Sequence, residues 1–342
     1  MAPDTVRWGV LGTSRINRRL LAGAHDVTGA EVVAVASRDA ERARAYAAER
    51  GIPASYGSYE ALLADPNVDV VYISLPNALH HPWTMRALEA GKHVLSEKPY
   101  TRRPDEVEAA FDLAEARGLV LMEAFMWRHS RQTARFMELL PGIGELQAIR
   151  TSFSFRLEDA TDIRLRAGLD GGSLMDVGCY CVSAARLLAG EDPDRVYGEA
   201  DLTDEGVDRR FAGTLHFPSG LVATFACGFT SVHETLEAIG SRGAIRSEDP
   251  WHIQSGQILF NGEPVRVDTT SAYRLEVENL SAAVRGMQAP LLGRADARGQ
   301  ARTIAALYRS AATGAPVDPG AGPVAVDAGD TGTRGATPPG AS

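Results

Sequence analysis

A chain of 342 residues with 44 acidic and 35 basic side chains carries a net charge of −9. It has no Lys/Arg block longer than pairs such as Arg18-Arg19 and Arg209-Arg210, so the basic face that a nucleic-acid partner demands is excluded. No apolar run reaches the length of a membrane span, and strand-like residues begin by Val6 with no export pattern before them, so a cytoplasmic protein without a membrane partner is expected.

The length exceeds one ordinary core and predicts two domains. Residues 6–11 read as a short apolar strand ending at Gly12, followed by a helical stretch from about Ser14 to Ala24. A second strand over 31–36 precedes a helix over 39–50 closed by Gly51. The pattern repeats as strand 70–74, helix 82–90 closed by Gly91, strand 92–96, helix 104–117 closed by Gly118, and strand 119–122. Strand alternating with helix predicts an α/β fold whose residues 1–125 form a doubly wound Rossmann domain.

After Gly144 the texture changes. Alternating segments over 147–155, 211–217, 221–229 and 234–239, with Pro218-Ser219-Gly220 as a tight turn, predict an α+β domain over 126–314 with a mostly antiparallel open sheet. One helix over 173–188 is entered through Gly171-Gly172, and two late helices, about 275–286 and 295–313, are expected to return toward the first domain. An open sheet face needs burial, which predicts a homodimer or homotetramer through it. Residues 315–342, rich in Gly, Pro and Ala, read as a disordered tail.

Cys179, Cys181 and Cys227 are odd in number and give no disulfide framework, in keeping with a reducing compartment. Cys179-x-Cys181 is too closely spaced for a zinc knuckle, and the adjacent His80-His81 point different ways on any regular element, so no metal site is expected.

Gly12-Thr13-Ser14-Arg15-Ile16 stands where the first strand turns into the first helix, the place at which exposed helix amides receive a pyrophosphate. The dinucleotide glycine pattern is incomplete there, with Ser14 and Asn17 in place of its second and third glycines, and a plain strand-to-helix turn reads equally well. The acid that would bind an adenine ribose after the second strand is replaced by Ser37-Arg38, with Arg42 a helical turn on. Such a set accepts a 2′-phosphate and favours NADP over NAD. Leu75-Pro76-Asn77, with His80 close behind, forms a turn past another strand end that can close over a nicotinamide ribose. Glu97-Lys98-Pro99 ends a further strand with a carboxylate beside an ammonium, which by itself reads as a surface ion pair.

Taken together, Gly9-x-x-Gly12-Thr13-Ser14-Arg15-Ile16, Leu75-Pro76-Asn77-x-x-His80, Glu97-Lys98-Pro99, Met122-Glu123-Ala124-Phe125 and Gly171-Gly172-Ser173-Leu174-x-Asp176-x-Gly178-x-Tyr180 resemble the Gfo/Idh/MocA oxidoreductases over about residues 5–313. With Tyr180 where many members carry His, the chain looks most like the subgroup of NADP-dependent xylose (aldose) 1-dehydrogenases, dimeric dihydrodiol dehydrogenases and glucose–fructose oxidoreductase. The resemblance implies that Lys98 and Tyr180 reach the substrate hydroxyl, that Asp176 lines the same pocket, and that Glu97 holds the nicotinamide ribose side. It further implies that Arg164 lies near nicotinamide or substrate and that Tyr273 closes the pocket. Two departures, Trp127-Arg128-His129-Ser130 without its usual proline and Asp162 in place of Asn, fall near the expected pocket mouth.

Oxidising a carbinol requires a base, and a phenol with a pKa of about 10 is a poor one at neutral pH. A positive charge at roughly 4 Å and an effective dielectric near 20 favours the phenolate by about 4 kcal/mol before desolvation is subtracted. Lys98 is expected to supply that charge to Tyr180, with Asp176 four residues earlier on the same helix face to orient Lys98 or a substrate hydroxyl; taken alone, Asp176 reads as a helix-start acid and Tyr180 as a core aromatic between two buried cysteines. The expected activity is an NADP-dependent oxidoreductase acting on a small sugar, polyol or cyclic diol. The alternative is a non-catalytic nicotinamide- or sugar-sensing regulator, and a complete Lys98, Asp176 and Tyr180 set favours the enzyme.

Overall fold

The structure is a computed structural model that describes residues 5–321. Its first sheet has the order β3-β2-β1-β4-β5-β6, with every strand parallel. The chain runs β1 (Val6–Leu11), α1 (Asn17–His25), β2 (Ala30–Ala36), α2 (Ala40–Arg50), β3 (Ala54–Tyr56), α3 (Tyr59–Leu63), β4 (Val70–Ile73), α4 (His80–Glu89), β5 (His93–Glu97), α5 (Pro104–Ala116) and β6 (Leu121–Ala124). Helices cover both faces, so the body of a central strand has no solvent side and is apolar or small; Val6, Trp8, Val10 and Leu11 are fully buried, and Arg7 near the strand's start pairs with Asp69. Gly9 is small for a packing reason, since a Cβ there would meet Leu62 and Val68 at 2.8 and 2.9 Å. The order reverses between β1 and β4, and the crevice beyond their carboxyl ends is the ligand position of such folds.

The first helix begins at Asn17 rather than Ser14. The Ser14 hydroxyl donates to Asn17 Oδ1 (2.8 Å) and the Asn17 amide donates to the Gly12 carbonyl (2.9 Å), which ties residues 12–17 into a turn that opens onto the crevice. α2 begins and ends as its residues predict: the Asp39 carboxylate caps it by accepting from Glu41 and Arg42 N–H, and Gly51 takes the left-handed conformation at its end.

Past β6 the chain forms α6 (Met126–His129), α7 (Arg131–Leu139) and β7 (Leu146–Ser154), then an irregular strap over 155–172 that contains two short 3₁₀ turns. A π-helical turn (Leu174–Gly178) leads into α8 (Cys179–Ala189). The remaining strands are β8 (Arg195–Leu202), β9 (Asp208–His216), β10 (Val222–Gly228), β11 (His233–Gly240), β12 (Gly243–Ser247), β13 (Gln257–Phe260) and β14 (Glu263–Arg266). They pair with β7 in the order β14-β13-β12-β11-β7-β10-β9-β8; every pair is antiparallel except β7 with β10. The expected mostly antiparallel sheet is therefore present, with one parallel pair inside it.

The chain closes with α9 (Ala272–Val284) and α10 (Arg294–Thr313), both lying against the first sheet's layers. A Cβ on Gly23 of α1 would approach the Arg274 amide nitrogen to 2.7 Å, the Trp8 indole N–H donates to Ser281 Oγ (3.3 Å), and the Arg294 guanidinium bridges Glu108, Asp112 and Glu115 of α5. The tail expectation needs correction at its start. Val317 pairs with Val196 of β8, and the Ser310 hydroxyl donates to the Ala315 carbonyl (2.7 Å), so the start of this segment is anchored by a backbone bridge and a side-chain bond. Residues 322–342 lie outside the described residues. Among the described residues no helix is long and apolar enough to cross a membrane, and the three cysteines are free and buried.

Candidate active site

A cleft of about 760 Å³ lies between the carboxyl ends of β1, β4 and β5 and the inner face of the second sheet. Thr13, Ser14, Arg15 and Ile16 line it from the first turn, and Leu75, Pro76 and Asn77 from the turn after β4. The amide N–H groups of residues 13–16 make no hydrogen bond among the described residues, so four donors and the side chains of Arg15 and Arg42 surround one end of the cleft. Unpaired amides at a helix start beside two guanidinium groups match a pyrophosphate and a ribose phosphate, so these residues fit a dinucleotide. Gly12 sits at φ +99 with its would-be Cβ 3.1 Å from Leu75, a close approach that a side chain would strain.

Gly12, Ser37 and Arg38 stand outside the cleft lining. Ser37 is buried and accepts from the Asp39 N–H (3.3 Å), whereas Arg38 is exposed and approaches the Tyr59 hydroxyl. Arg42 is the member of that group that reaches the cleft. His80 also differs from expectation, because its side chain is spent on the protein itself. It is buried, with Nδ1 2.9 Å from the Pro99 carbonyl and Nε2 2.8 Å from the Leu75 carbonyl. It thereby ties the turn after β4 to the turn after β5, and burial lowers its pKa although both carbonyls favour the charged ring. The Asn77 amide donates to the Asp170 carbonyl (2.8 Å), joining the same turn to the strap.

At the other end, the Tyr72 hydroxyl donates to Glu97 Oε1 (2.5 Å) and the Lys98 N–H donates to Oε2 (3.2 Å), so β5 delivers Lys98 from a fixed carboxylate. The Lys98 ammonium donates to the Asp176 carbonyl (2.6 Å) and to its Oδ1 (3.3 Å). Arg164 reaches over from the strap, with Nε donating to Asp176 Oδ2 (2.6 Å) and a terminal nitrogen to Asp162 (3.2 Å). Burial pushes the Asp176 carboxyl up, but Lys98 and Arg164 outweigh it and hold the group below its ordinary range. For Lys98, burial favours the neutral amine, but Asp176, Cys179 and Glu97 together outweigh it, so the ammonium stays charged.

Tyr180 and Asp176 both line the cleft. Asp176 lies in the π turn rather than on a regular helix, and the turn is fastened by Asp208, whose carboxylate accepts from the Leu174 N–H (2.7 Å), the Ser173 hydroxyl (2.8 Å) and the Tyr308 hydroxyl (2.8 Å). The Lys98 nitrogen sits 4.9 Å from the centre of the Tyr180 ring, over its face. Burial, followed by Tyr273 and Glu97, pushes the phenol well above its ordinary pKa. The expected lowering by Lys98 does not overcome burial, and that ammonium is already paired with Asp176. Tyr180 is a protonated phenol in this arrangement.

Sequence reasoning missed other parts of the wall, among them Arg19, Phe153, Phe155, Trp251 and His252. Phe153 and Phe155 are two apart and share a face, but that signal is the same as for any core strand residue. Trp251 and His252 lie in the loop between β12 and β13, where no pattern marks them.

The description "Oxidoreductase family, NAD-binding Rossmann fold" applies to a family model that matches residues 6–125, and a Gfo/Idh/MocA C-terminal domain model matches residues 142–246. The chain belongs to the Gfo/Idh/MocA oxidoreductase family. Within it, a "D-xylose 1-dehydrogenase (NADP(+)) 2" of Haloferax volcanii is 43% identical over 91% of this chain and 99% of that protein. A mouse trans-1,2-dihydrobenzene-1,2-diol dehydrogenase (Mus musculus) is 33% identical over 75% of this chain and 78% of its own length. The crystal structure of an aldose-aldose oxidoreductase from Caulobacter crescentus, complexed with glycerol, superposes with a TM-score of 0.84 at 27% identity, covering 92% of this chain and 99% of that one. These relatives fall in the subgroup that the motifs resemble.

Proposed function

We propose that the chain is an NADP-dependent dehydrogenase or reductase acting on a CH–OH group of a small sugar, polyol or cyclic diol. The observation that carries this reading is the convergence of Lys98, Asp176 and Tyr180 at one end of a cleft whose other end presents four unpaired amides and two arginines. Bound there, nicotinamide supplies the hydride acceptor or donor. Arg15, Arg42 and the amides of residues 13–16 bind the phosphates, with Arg42 taking the 2′-phosphate and Arg38 adding charge at the rim. Leu75, Pro76, Asn77 and Glu97 bound the ribose and nicotinamide side, while Tyr273 covers the cleft from α9.

Lys98, held charged by Asp176, stabilises negative charge on the substrate oxygen. Tyr180, held protonated, gives its proton to that oxygen in carbonyl reduction; in alcohol oxidation the phenol first releases its proton to solvent, which Lys98 favours once its ammonium turns from the Asp176 carbonyl toward the phenol oxygen, and the phenolate then accepts the proton of the substrate hydroxyl. Arg164 holds Asp176 in place through both states. Three buried free thiols support a cytoplasmic setting, and exposed Val222, Thr224 and Ala226 along a central strand support association into at least a dimer through the open sheet face. Incubation with oxidised NADP or NAD and a panel of aldoses, polyols and diols tests the reading by the absorbance of reduced nicotinamide. Turnover that prefers NADP is expected, and none with any member of the panel would overturn it.

A further inference from the structure

The wall of the cleft formed by the second sheet carries a charged pair with no part in the proton or phosphate steps. His252 lines the cleft and directs Nδ1 to the carboxylate of Glu234 on β11, at 3.0 and 3.2 Å from its two oxygens. Because the carboxylate accepts the Nδ1–H hydrogen bond, Nε2 is the ring nitrogen left for a ligand, and among the described residues it makes no hydrogen bond. Its edge packs on Phe153 with ring centres 5.7 Å apart, Phe153 stacks on Trp251 at 5.8 Å, and Trp251 lies 5.6 Å from Tyr180.

The loop that presents Trp251 and His252 is held under strain. Ile253, a β-branched residue, sits at φ +60, and the Asp249 carboxylate grips the loop by accepting the N–H groups of Ile253, Gln254 and Ser255. Glu234, Asp249 and His252 offer ligand atoms within 4.8 Å of one another, but the Asp249 oxygens are already committed to those amides. The charged groups facing His252 are Glu234, Arg19 from α1 and Asp249, and with the imidazole ring protonated the two carboxylates are matched by two positive charges. A balanced site with aromatic faces and one directed N–H suits a neutral hydroxylated ring, whose C–H face lies on the aromatics, over a phosphorylated or carboxylated one.

Resting on the reading that this cleft takes a sugar or polyol, we propose that His252, braced by Glu234, donates Nε2–H to a hydroxyl oxygen remote from the reacting carbon and selects which ring, in which orientation, meets Lys98 and Tyr180. His252 is thus a specificity-determining residue. The bond to Glu234 raises its pKa against burial, so the donor stays charged to higher pH than a free imidazole.

The experiment uses the NADP-loaded enzyme with its best sugar and that sugar's single-deoxy analogues, reading KM, kcat and the sugar dissociation constant from tryptophan fluorescence. His252→Leu is expected to raise KM and the dissociation constant by about tenfold or more while kcat stays within about threefold, and to abolish discrimination against one deoxy analogue. His252→Gln keeps a donor and should recover most of the affinity. Glu234→Gln should move the loss of sugar binding at rising pH to lower pH by roughly one unit, a shift that a packing role would not produce. Wild-type affinity and selectivity in His252→Leu, or equal losses in the Gln and Leu variants, overturn this proposal alone. A wild-type enzyme that neither binds nor turns over any sugar or polyol overturns the parent reading and this proposal with it.

Discussion

Tyr180 is the residue at which the core-aromatic reading and the catalytic reading give opposite forecasts. Its ring packs on Phe125, Phe153 and Trp251 as a core aromatic would, yet it lines the cleft beside Lys98. Tyr180→Phe preserves the packing and removes only the oxygen, so steady-state kinetics should show a turnover loss of about 10²–10⁴ with the NADP dissociation constant nearly unchanged. Near wild-type turnover would send the proton elsewhere. Arg42 lines the cleft and Arg38 does not, so Arg42→Ala should weaken NADP relative to NAD by about tenfold, more than Arg38→Ala does, as fluorescence titration of both cofactors would read. Equal losses for the two cofactors would remove the 2′-phosphate assignment. Lys98, Asp176 and Tyr180 were legible because each stands in a motif of recognisable spacing. The pairing of Lys98 with Asp176 in preference to the phenol was not, because it depends on a 2.6 Å contact to a backbone carbonyl that no side-chain pattern encodes. His80 was visible as a residue, but its commitment to two carbonyls follows only from the fold.

Elements were legible where burial imposed a period. The parallel strands, buried on both faces, read as apolar runs, and the helices between them carried their own stop signals in Gly51, Gly91 and Gly118. α7 escaped because it is short, nine residues, and one of its two buried residues is the polar Gln132. β8 escaped for a related reason, with Glu199 and Asp201 among its residues, and the π turn adds a residue per turn that leaves no mark on the sequence. That turn depends on the strap packed beside it. A Cβ on Gly171 would lie 2.4 Å from the Arg164 carbonyl oxygen, so Gly171→Ala should displace the strap, loosen the Arg164–Asp176 pair and cost about 1–3 kcal/mol in urea unfolding together with a fall in kcat. Unchanged stability and rate would show that the close approach is dispensable. At the end of β6, Glu123 accepts the Tyr100 N–H (2.8 Å), and burial pushes its pKa from the ordinary 4.5 up to about 8. Between those values the native chain keeps a proton that the unfolded chain releases, so this group makes stability fall as pH rises from 4.5 to 8, by at most about 5 kcal/mol. Glu123→Gln keeps the acceptor without the charge and should be more stable than wild type above pH 8 and alike near pH 4.5, measured by urea midpoints across that range. A parallel pH dependence in both proteins would rule out this source.

At the scale of the whole molecule, the two sheets solve burial differently. The first is covered on both sides, whereas the second packs one face on α8, α10 and the π turn and leaves the other in water. Along β10 the division is regular: Ala223, Phe225 and Cys227 are buried, and Val222, Thr224 and Ala226 are exposed. β10 sits between β7 and β9, so those three residues lie in the middle of the face and not at an edge. Ala226 stands opposite exposed Ala212, while charges such as Asp201, Arg209 and Arg210 pair with one another farther along. A small, neutral centre surrounded by satisfied charges suits self-association, and one face meeting its own copy closes a two-fold dimer. Alternation along the strands made this face legible in the sequence, although the identity of the central strand emerged only from the strand order. Ala226→Arg places a solvated guanidinium where the partner would pack and leaves the cleft on the opposite side of the sheet untouched. Its mass by sedimentation equilibrium should fall to that of a single chain at concentrations where wild type is a dimer or larger, with kcat within about threefold of wild type. A wild-type mass that equals one chain at every concentration would remove the open face as an interface, and an Ala226→Arg mass equal to that of an associated wild type would move the interface to another surface.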